Sequence, residues 1–256
     1  TGVGRCGTRF VHELLKRAKG VCSFHELNPI QDSFHKYCKW NNLPIDSGGF
    51  LKGKENEIKS VIKNDNIFFE ASPFLILSIK DLFEKFENRF LLLYRNPEKS
   101  VRSFYSKGFY QEDIDYNDLN LTSGLQSNLP VHRSFTRIYP KGKKFLKWKN
   151  LTRVGKISWY WSVLNKMMLE QIKEIPKEKY RIFNIEEFNY DVYHDIIEWI
   201  GLPLKISNWR YNRIRNKSHS YTGKKNYHVE WSKIEIEEFE SQTTKVWQSL
   251  INFKNN

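Results

Sequence analysis

The sequence predicts an α/β fold, a single domain over residues 1–256 with a central parallel sheet flanked by helices. Three observations lead there. Phe90-Leu91-Leu92-Leu93-Tyr94 is a continuous apolar run, the pattern of a strand buried on both faces. Short apolar runs alternate with segments of helical apolar spacing, as parallel βαβ units require. The predicted strands also end in polar residues, His25-Glu26, Glu70, Arg95 and Glu186-Glu187. Open parallel sheets bind ligands at those carboxyl ends.

In chain order, Thr1 to Arg9 is a Gly-rich loop that runs into an amphipathic segment, Phe10 to Lys19. A loop of this kind normally follows a buried strand, so a strand before residue 1 is expected. Gly20 to Phe24 is a short strand. Asn28 to Asn56 carries Pro29, Pro44 and Gly48-Gly49, and reads as irregular with one short helix around Asp32 to Trp40. Ile67 to Phe69 is a strand, and Leu75, Ile79, Leu82, Phe83 and Phe86 mark a helix. After the Phe90 strand, Pro97 near a helix start with Val101, Phe104 and Tyr105 behind it reads as strand, loop, helix. Lys107 to Gly155 is long, polar and turn-rich; such a connection is usually functional or carries short helices. Ile157 to Glu174 is a helix, Tyr180 to Ile185 a strand, and Tyr193 to Ile200 a helix stopped by Gly201 and Pro203. Asn208 to Lys225 reads as a basic, Asn- and Ser-rich loop, and Ile234 to Leu250 as a terminal helix.

Composition narrows the function classes. With 8 Trp, 13 Tyr and 18 Phe in 256 residues, the chain can build a large core. A net charge of +13 favours an anionic partner. Lys and Arg are spread along the chain and no zinc-finger, RRM-type or basic-zipper pattern occurs, which argues against nucleic acid. Cys6, Cys22 and Cys38 form no C-x-x-C pair, so neither a disulfide framework nor a compact metal site is expected and a reducing compartment, the cytoplasm, is the default. No apolar run reaches the roughly 18 residues that span a bilayer.

The loop Gly4-Arg5-Cys6-Gly7-Thr8-Arg9 carries two guanidinium groups and a hydroxyl into a helix start. Free backbone N–H groups and the helix dipole suit a phosphate there, and arginines add charge-assisted donors. The loop lacks the Walker A order, with Arg-Cys-Gly-Thr in place of Gly-Lys-Ser/Thr. A second stretch, Arg95-Asn96-Pro97-Glu98-Lys99-Ser100-Val101-Arg102-Ser103, sets Ser103 about two helical turns beyond a strand-end arginine. Together these resemble the sulfotransferases that use 3′-phosphoadenosine 5′-phosphosulfate (PAPS). That family pairs an early G-x-x-R/K-S-G-T-x loop with a later R-x-P-x-x-x-x-x-S segment. Cys6 stands where the family usually has Ser.

The resemblance implies a P-loop-like phosphosulfate-binding loop and transfer of a sulfuryl group to an acceptor hydroxyl, with adenosine 3′,5′-bisphosphate (PAP) as product and no metal. It implies that Arg5 stabilises the leaving group. Thr8 and the N–H groups of Gly7 and Thr8 would hold the 5′-phosphate, and Arg95 and Ser103 the 3′-phosphate. Cys6 replaces Ser with its S–H or N–H towards the anion, where a helix N-terminus would lower its pKa. Asn216-Lys217-Ser218 and Gly223-Lys224-Lys225 are similar to the late basic loop that closes over the donor. Glu70 is the first candidate for the base, His25 and Glu26 the second, and His132 the third. The acceptor is a glycan, a lipid head group or a small molecule, with acidic glycan or lipid favoured by the positive charge. An anchored form preceded by a membrane segment would place the domain in the Golgi lumen.

Two other classes remain open to the sequence. A P-loop kinase or NTPase would need Mg²⁺ and ATP, and the missing Walker lysine counts against it. A non-catalytic polyanion-binding module would bind with strong salt dependence and no preference for a 3′-phosphate.

Overall fold

The computed structural model describes residues 1–62, 66–111, 131–202, 205–220 and 230–255. The fold is mixed α/β, and β3 (Phe90–Tyr94) is its most deeply buried strand. All five of its residues are buried, and they divide between two faces as the pleat dictates. Leu91 and Leu93 pack with Val11, Leu14 and Leu15 of α1 (Thr8–Leu15) and with Tyr193, Ile196 and Ile197 of α9 (Tyr190–Trp199). Phe90, Leu92 and Tyr94 pack with Val101 and Phe104 of α5 (Pro97–Tyr105) and with α8 (Arg153–Ile172). Helices therefore cover both faces, and the uninterrupted apolar run has its cause. The long α11 (Lys233–Asn255) lies against α8, with the Trp161 and Trp247 rings 6.4 Å apart.

Among the described residues the strands form two parallel pairs rather than one continuous sheet. β1 (Val21–His25) pairs with β2 (Ile67–Ala71), aligning Phe24 with Glu70. β3 pairs with β4 (Tyr180–Asn184). Thr1 and Gly2 lie between the two pairs. The Thr1 nitrogen donates to Leu91 O at 2.7 Å, the Leu93 N–H donates to Thr1 O at 2.9 Å, and Thr1 Oγ1 donates to Ser72 O at 2.7 Å. Gly2 bridges Leu93 in parallel. A Cβ at Gly2 would stand 2.1 Å from Leu93 O, so only glycine fits that approach.

The helices correct two sequence expectations. Residues 28–56 are not irregular: they hold α2 (Pro29–Asn41) and α3 (Ser47–Val61). Pro29 sits in the first turn of α2, where its missing N–H costs nothing, and the Asn28 side chain caps that helix. Asp46 caps α3 through the Gly49 N–H at 2.6 Å, and a Cβ at Gly49 would meet that carboxylate at 2.2 Å. These prolines and glycines mark helix starts, which a breaker reading mistakes for loop. Residues 208–220, expected as loop, form α10 (Asn208–Ser220). Tyr211 and Ile214, one turn apart, bury against α1 and α9, and Tyr211 OH donates to Phe188 O at 3.0 Å. A short 3₁₀ turn, Phe74–Leu77, precedes α4 (Ile79–Phe86). The long polar segment carries α6 (Val131–Thr136) and α7 (Lys143–Lys149); its residues 112–130 lie outside the described part.

Lys36 of α2 is 1% exposed, and its Nζ donates to Tyr160 OH at 3.2 Å. Burial pulls its pKa from 10.5 to about 7. Between those values the unfolded chain holds the proton and the folded chain does not, so stability rises with pH across that window. Below it the charged amine carries the full burial penalty. Lys36→Met is therefore expected to stabilise at pH 6 by a few kcal/mol, at about 1.4 kcal/mol per pKa unit, with the gain shrinking towards pH 10. Urea midpoints at the two pH values test this; equal midpoints for variant and wild type at pH 6 would refute it.

Candidate functional site

The loop before α1 owes its shape to two left-handed residues. Arg5 has φ +69° and Gly7 φ +94°. A Cβ at Gly7 would lie 2.4 Å from Ile185 Cγ1, so the position requires glycine for both conformation and space. Gly7 caps α1 through its carbonyl, which accepts from Phe10 at 2.9 Å and Val11 at 3.2 Å, and no side chain caps the helix start. Gly4 lies against the Phe104 ring, 3.5 Å from its would-be Cβ.

The loop meets the last turn of α5. Arg5 Nε donates to Ser103 Oγ at 2.8 Å, across a sequence separation of 98. Arg95 Nη1 reaches Arg5 O at 3.5 Å. The two motifs read from the sequence thus form one cluster. Desolvation, and then the like charge of Arg95, weaken the hold of Arg5 on its proton, although a guanidinium stays charged. Two adjacent guanidinium groups repel, and an anion between them would relieve that repulsion. Glu186 offsets part of the charge: its carboxylate lies 4.0 Å from Arg95 Nε and 2.6 Å from Lys99 Nζ, and accepts from the Asn96 N–H at 3.3 Å. Lys99, one turn before Ser103 on α5, escaped the sequence reading although its motif was quoted.

Cys6 departs from expectation. Its side chain is 2% exposed and packs with Leu91 and Leu93, not towards the loop surface. Burial pushes the thiol up to about 11, despite the Cys6 and Thr8 N–H groups pulling the other way. The thiol is a small apolar filler, and only the backbone of Cys6 remains a candidate for the anion. Thr8 is largely buried and Arg9 exposed. Arg9 acts electrostatically on both His25 and Glu26.

The candidate bases separate clearly. Glu70 is next to last in β2, with its side chain 5% exposed; Oε1 accepts from the Leu27 N–H at 3.1 Å and Oε2 from Lys54 Nζ at 3.1 Å. The first-ranked base is thus tied into a buried ion cluster. Glu26 follows β1 in a left-handed turn, φ +54°, with its N–H donating to Ala71 O at 3.2 Å and a side chain 29% exposed. Desolvation raises its pKa, helped by Glu70 and opposed by Arg9, Arg133 and Arg5. Arg9 and Arg5 of the loop thus act on Glu26 through their charge. His25 is lowered to about 4 by burial and the nearby His12, so it is neutral and weakly basic at pH 7. His12 itself is fixed by Ser23 Oγ, 2.8 Å from Nδ1. His132, on α6, is lowered by burial and the adjacent Arg133. Arg133, not singled out from sequence, lies on α6, which packs along α2, and acts on Glu26 through its charge.

Of the late basic stretch, Lys217 lies exposed on α10, while the Ser218 side chain and residues 223–225 lie outside the described part. Among the described residues one group has metal-ligand spacing, His194, Asp195 and Glu198 on α9. The Lys205 ammonium already occupies it, 2.9 Å from both His194 Nδ1 and Glu198 Oε1. No family model matches the chain, and no curated protein matches it either.

Proposed function

We propose that the chain is a PAPS-dependent sulfotransferase. The observation that carries this is the 2.8 Å bond from Arg5 Nε to Ser103 Oγ, with Arg95 beside it. It unites the two halves of a donor site for a nucleotide that bears phosphate at both 3′ and 5′ positions. On this reading the Thr1–Gly2 contacts to both strand pairs join them into one parallel sheet, with the loop at its carboxyl edge.

The chemistry follows from the donor groups. Arg95 and Ser103 hold the 3′-phosphate. The loop N–H groups and the start of α1 hold the 5′-phosphosulfate. The acceptor oxygen attacks sulfur in line, forming one S–O bond while the bridging S–O bond to the 5′-phosphate breaks. The leaving bisphosphate keeps that electron pair, and Arg5 stabilises the charge. Glu26 takes the acceptor proton, because it is the accessible carboxylate whose raised pKa brings it nearer to neutral pH. Glu70 holds the Leu27 N–H beside it.

A thermal-shift titration with adenosine 3′,5′-bisphosphate, beside ADP and ATP with and without Mg²⁺, tests the reading. A ligand at a hundredfold excess over Kd stabilises by about 2.7 kcal/mol, a shift of several degrees. The expected result is metal-independent stabilisation by the bisphosphate, lost in Arg95→Ala and Ser103→Ala. Stabilisation only by ATP with Mg²⁺, or by no nucleotide, would overturn it.

A further inference from the structure

Among the described residues β4 is the outermost strand of its pair. Leu91 and Leu93 of β3 turn their backbone groups to Thr1, while Tyr94 O accepts from the Ile185 N–H at 2.9 Å. Backbone groups alternate along a strand, so Arg181, Phe183 and Ile185 aim theirs at β3. Tyr180, Ile182 and Asn184 aim theirs the other way. Two of the outward carbonyls are taken. Tyr180 O accepts from Arg181 Nη1 at 3.0 Å, and Asn184 O from the Glu187 N–H at 3.0 Å. The Ile182 N–H and C=O and the Asn184 N–H meet no partner among the described residues.

A cavity of about 350 Å³ runs along this edge. All five residues of β4 line it, so side chains from both strand faces meet there, as a groove along an edge requires. Val192 near the start of α9 and Lys254 at the end of α11 flank it. Its charge is lopsided. Lys177, Arg181 and Lys254 stand against one carboxylate, Glu187, which Lys254 already pairs. Lys177 and Arg181 are exposed and meet no carboxylate among the described residues.

We propose that this edge docks an extended acidic segment of a partner protein, which joins the sheet as a further strand. An unpaired edge is a template for another chain; main-chain bonds supply affinity and side chains select the guest. An antiparallel guest residue opposite Ile182 would exchange both backbone bonds with it. Acidic guest side chains would answer Lys177 and Arg181. A second copy of this chain fits less well, because its own β4 brings α9 and α11 beside it, whereas the groove between Val192 and Lys254 suits a bare strand. Five residues of strand span about 17 Å, so a hexapeptide covers the edge.

Fluorescence anisotropy with labelled Glu-Val-Glu-Val-Glu-Val tests the edge. The peptide carries no hydroxyl side chain and cannot stand in for a sulfuryl acceptor. Comparators are Lys-Val-Lys-Val-Lys-Val and two forms of the acidic peptide, N-methylated on all glutamates or on all valines. Each methylated form loses the N–H donors of one peptide edge and keeps its charge. Wild type is expected to bind the acidic peptide at least tenfold more tightly than the basic one, and one methylated form alone to bind at least tenfold more weakly. The double variant Lys177→Gln, Arg181→Gln changes only exposed side chains, and an unchanged melting temperature verifies its fold. It is expected to bind the acidic peptide at least tenfold more weakly. Equal binding of the two methylated forms, or undiminished binding by the variant, overturns the proposal, since a net charge of +13 would then attract the peptide without the edge. Displacement of the peptide by adenosine 3′,5′-bisphosphate would put it on Arg5 and Arg95 and overturn the proposal too. So would a dimer in sedimentation that the peptide dissociates, which would give the edge to a second copy. Edge binding without any bisphosphate shift would support the groove and sink the donor reading alone.

Discussion

On the proposed mechanism, Glu26→Gln is expected to lower PAP release from the donor in the presence of a hydroxyl acceptor by about 10²–10⁴-fold, the usual contribution of a positioned base. Bisphosphate stabilisation should survive, because the proposed donor contacts are those of Arg5, Arg95 and Ser103. Only the ionised carboxylate accepts a proton. Its raised pKa therefore puts the acid limb of kcat/KM above the ordinary carboxylate value of 4.5, with activity falling as pH falls through it. His25 cannot take over efficiently, since a base lowered to about 4 has little affinity for the acceptor proton at neutral pH. The decisive comparison is Glu70→Gln. If that variant keeps its fold and bisphosphate binding but loses activity, while Glu26→Gln remains active, the base is Glu70 and the assignment made here is wrong.

The sequence carries the part of this fold that apolar burial writes. β3 is legible because both its faces are covered, Leu91 and Leu93 by α1 and α9, Leu92 by α5 and α8. The cluster of Arg5, Arg95 and Ser103 is legible as two motifs, though not as the contact between Arg5 and Ser103. What periodicity misses is burial that charges share and turns that reverse a strand end. Lys54 and Asp32 look like solvent residues until three-dimensional packing encloses them as an ion pair at 2.7 Å. Ranking Glu70 above Glu26 assumed that a strand-end carboxylate faces the cleft. In the structure Glu70 is instead buried against Lys54, and Glu26 is the more exposed of the two, which is why the proposal prefers Glu26. Cys6 fails for a related reason: a helix N-terminus lowers a thiol pKa only when the sulfur is solvated enough to ionise, and this one is buried against Leu91 and Leu93.

Lys54→Met should destabilise the protein by about 3–5 kcal/mol at pH 8, the cost of removing one partner from a buried ion cluster. Lys54 Nζ stands 2.7 Å from Asp32, 3.0 Å from Glu57 and 3.1 Å from Glu70, and the side chains of Lys54 and Asp32 are 2% and 0% exposed. Burial opposes the charge on Lys54, yet Glu70 and Asp32 outweigh it and push the amine up to about 12. Burial first and then Glu70 push the Asp32 carboxyl up, and Lys54 pulls it back down. Without the ammonium, the lowering that Lys54 exerts on Asp32 is lost and that carboxyl rises further. The folded chain then binds more protons than the unfolded one, and stability falls as pH rises. The loss in Lys54→Met should thus be smaller at pH 5 than at pH 8, and urea midpoints at both values measure it. A change within about 0.5 kcal/mol at pH 8, the range of ordinary surface substitutions, would mean that the cluster is solvated and not a fixed ion network. The same variant reports on the site. Lys54 cancels the Glu70 charge that raises Glu26, so its removal strengthens that push and should move the acid limb of kcat/KM to higher pH. An acid limb that stays in place while stability falls would separate the cluster's structural role from any electrostatic hold on the base.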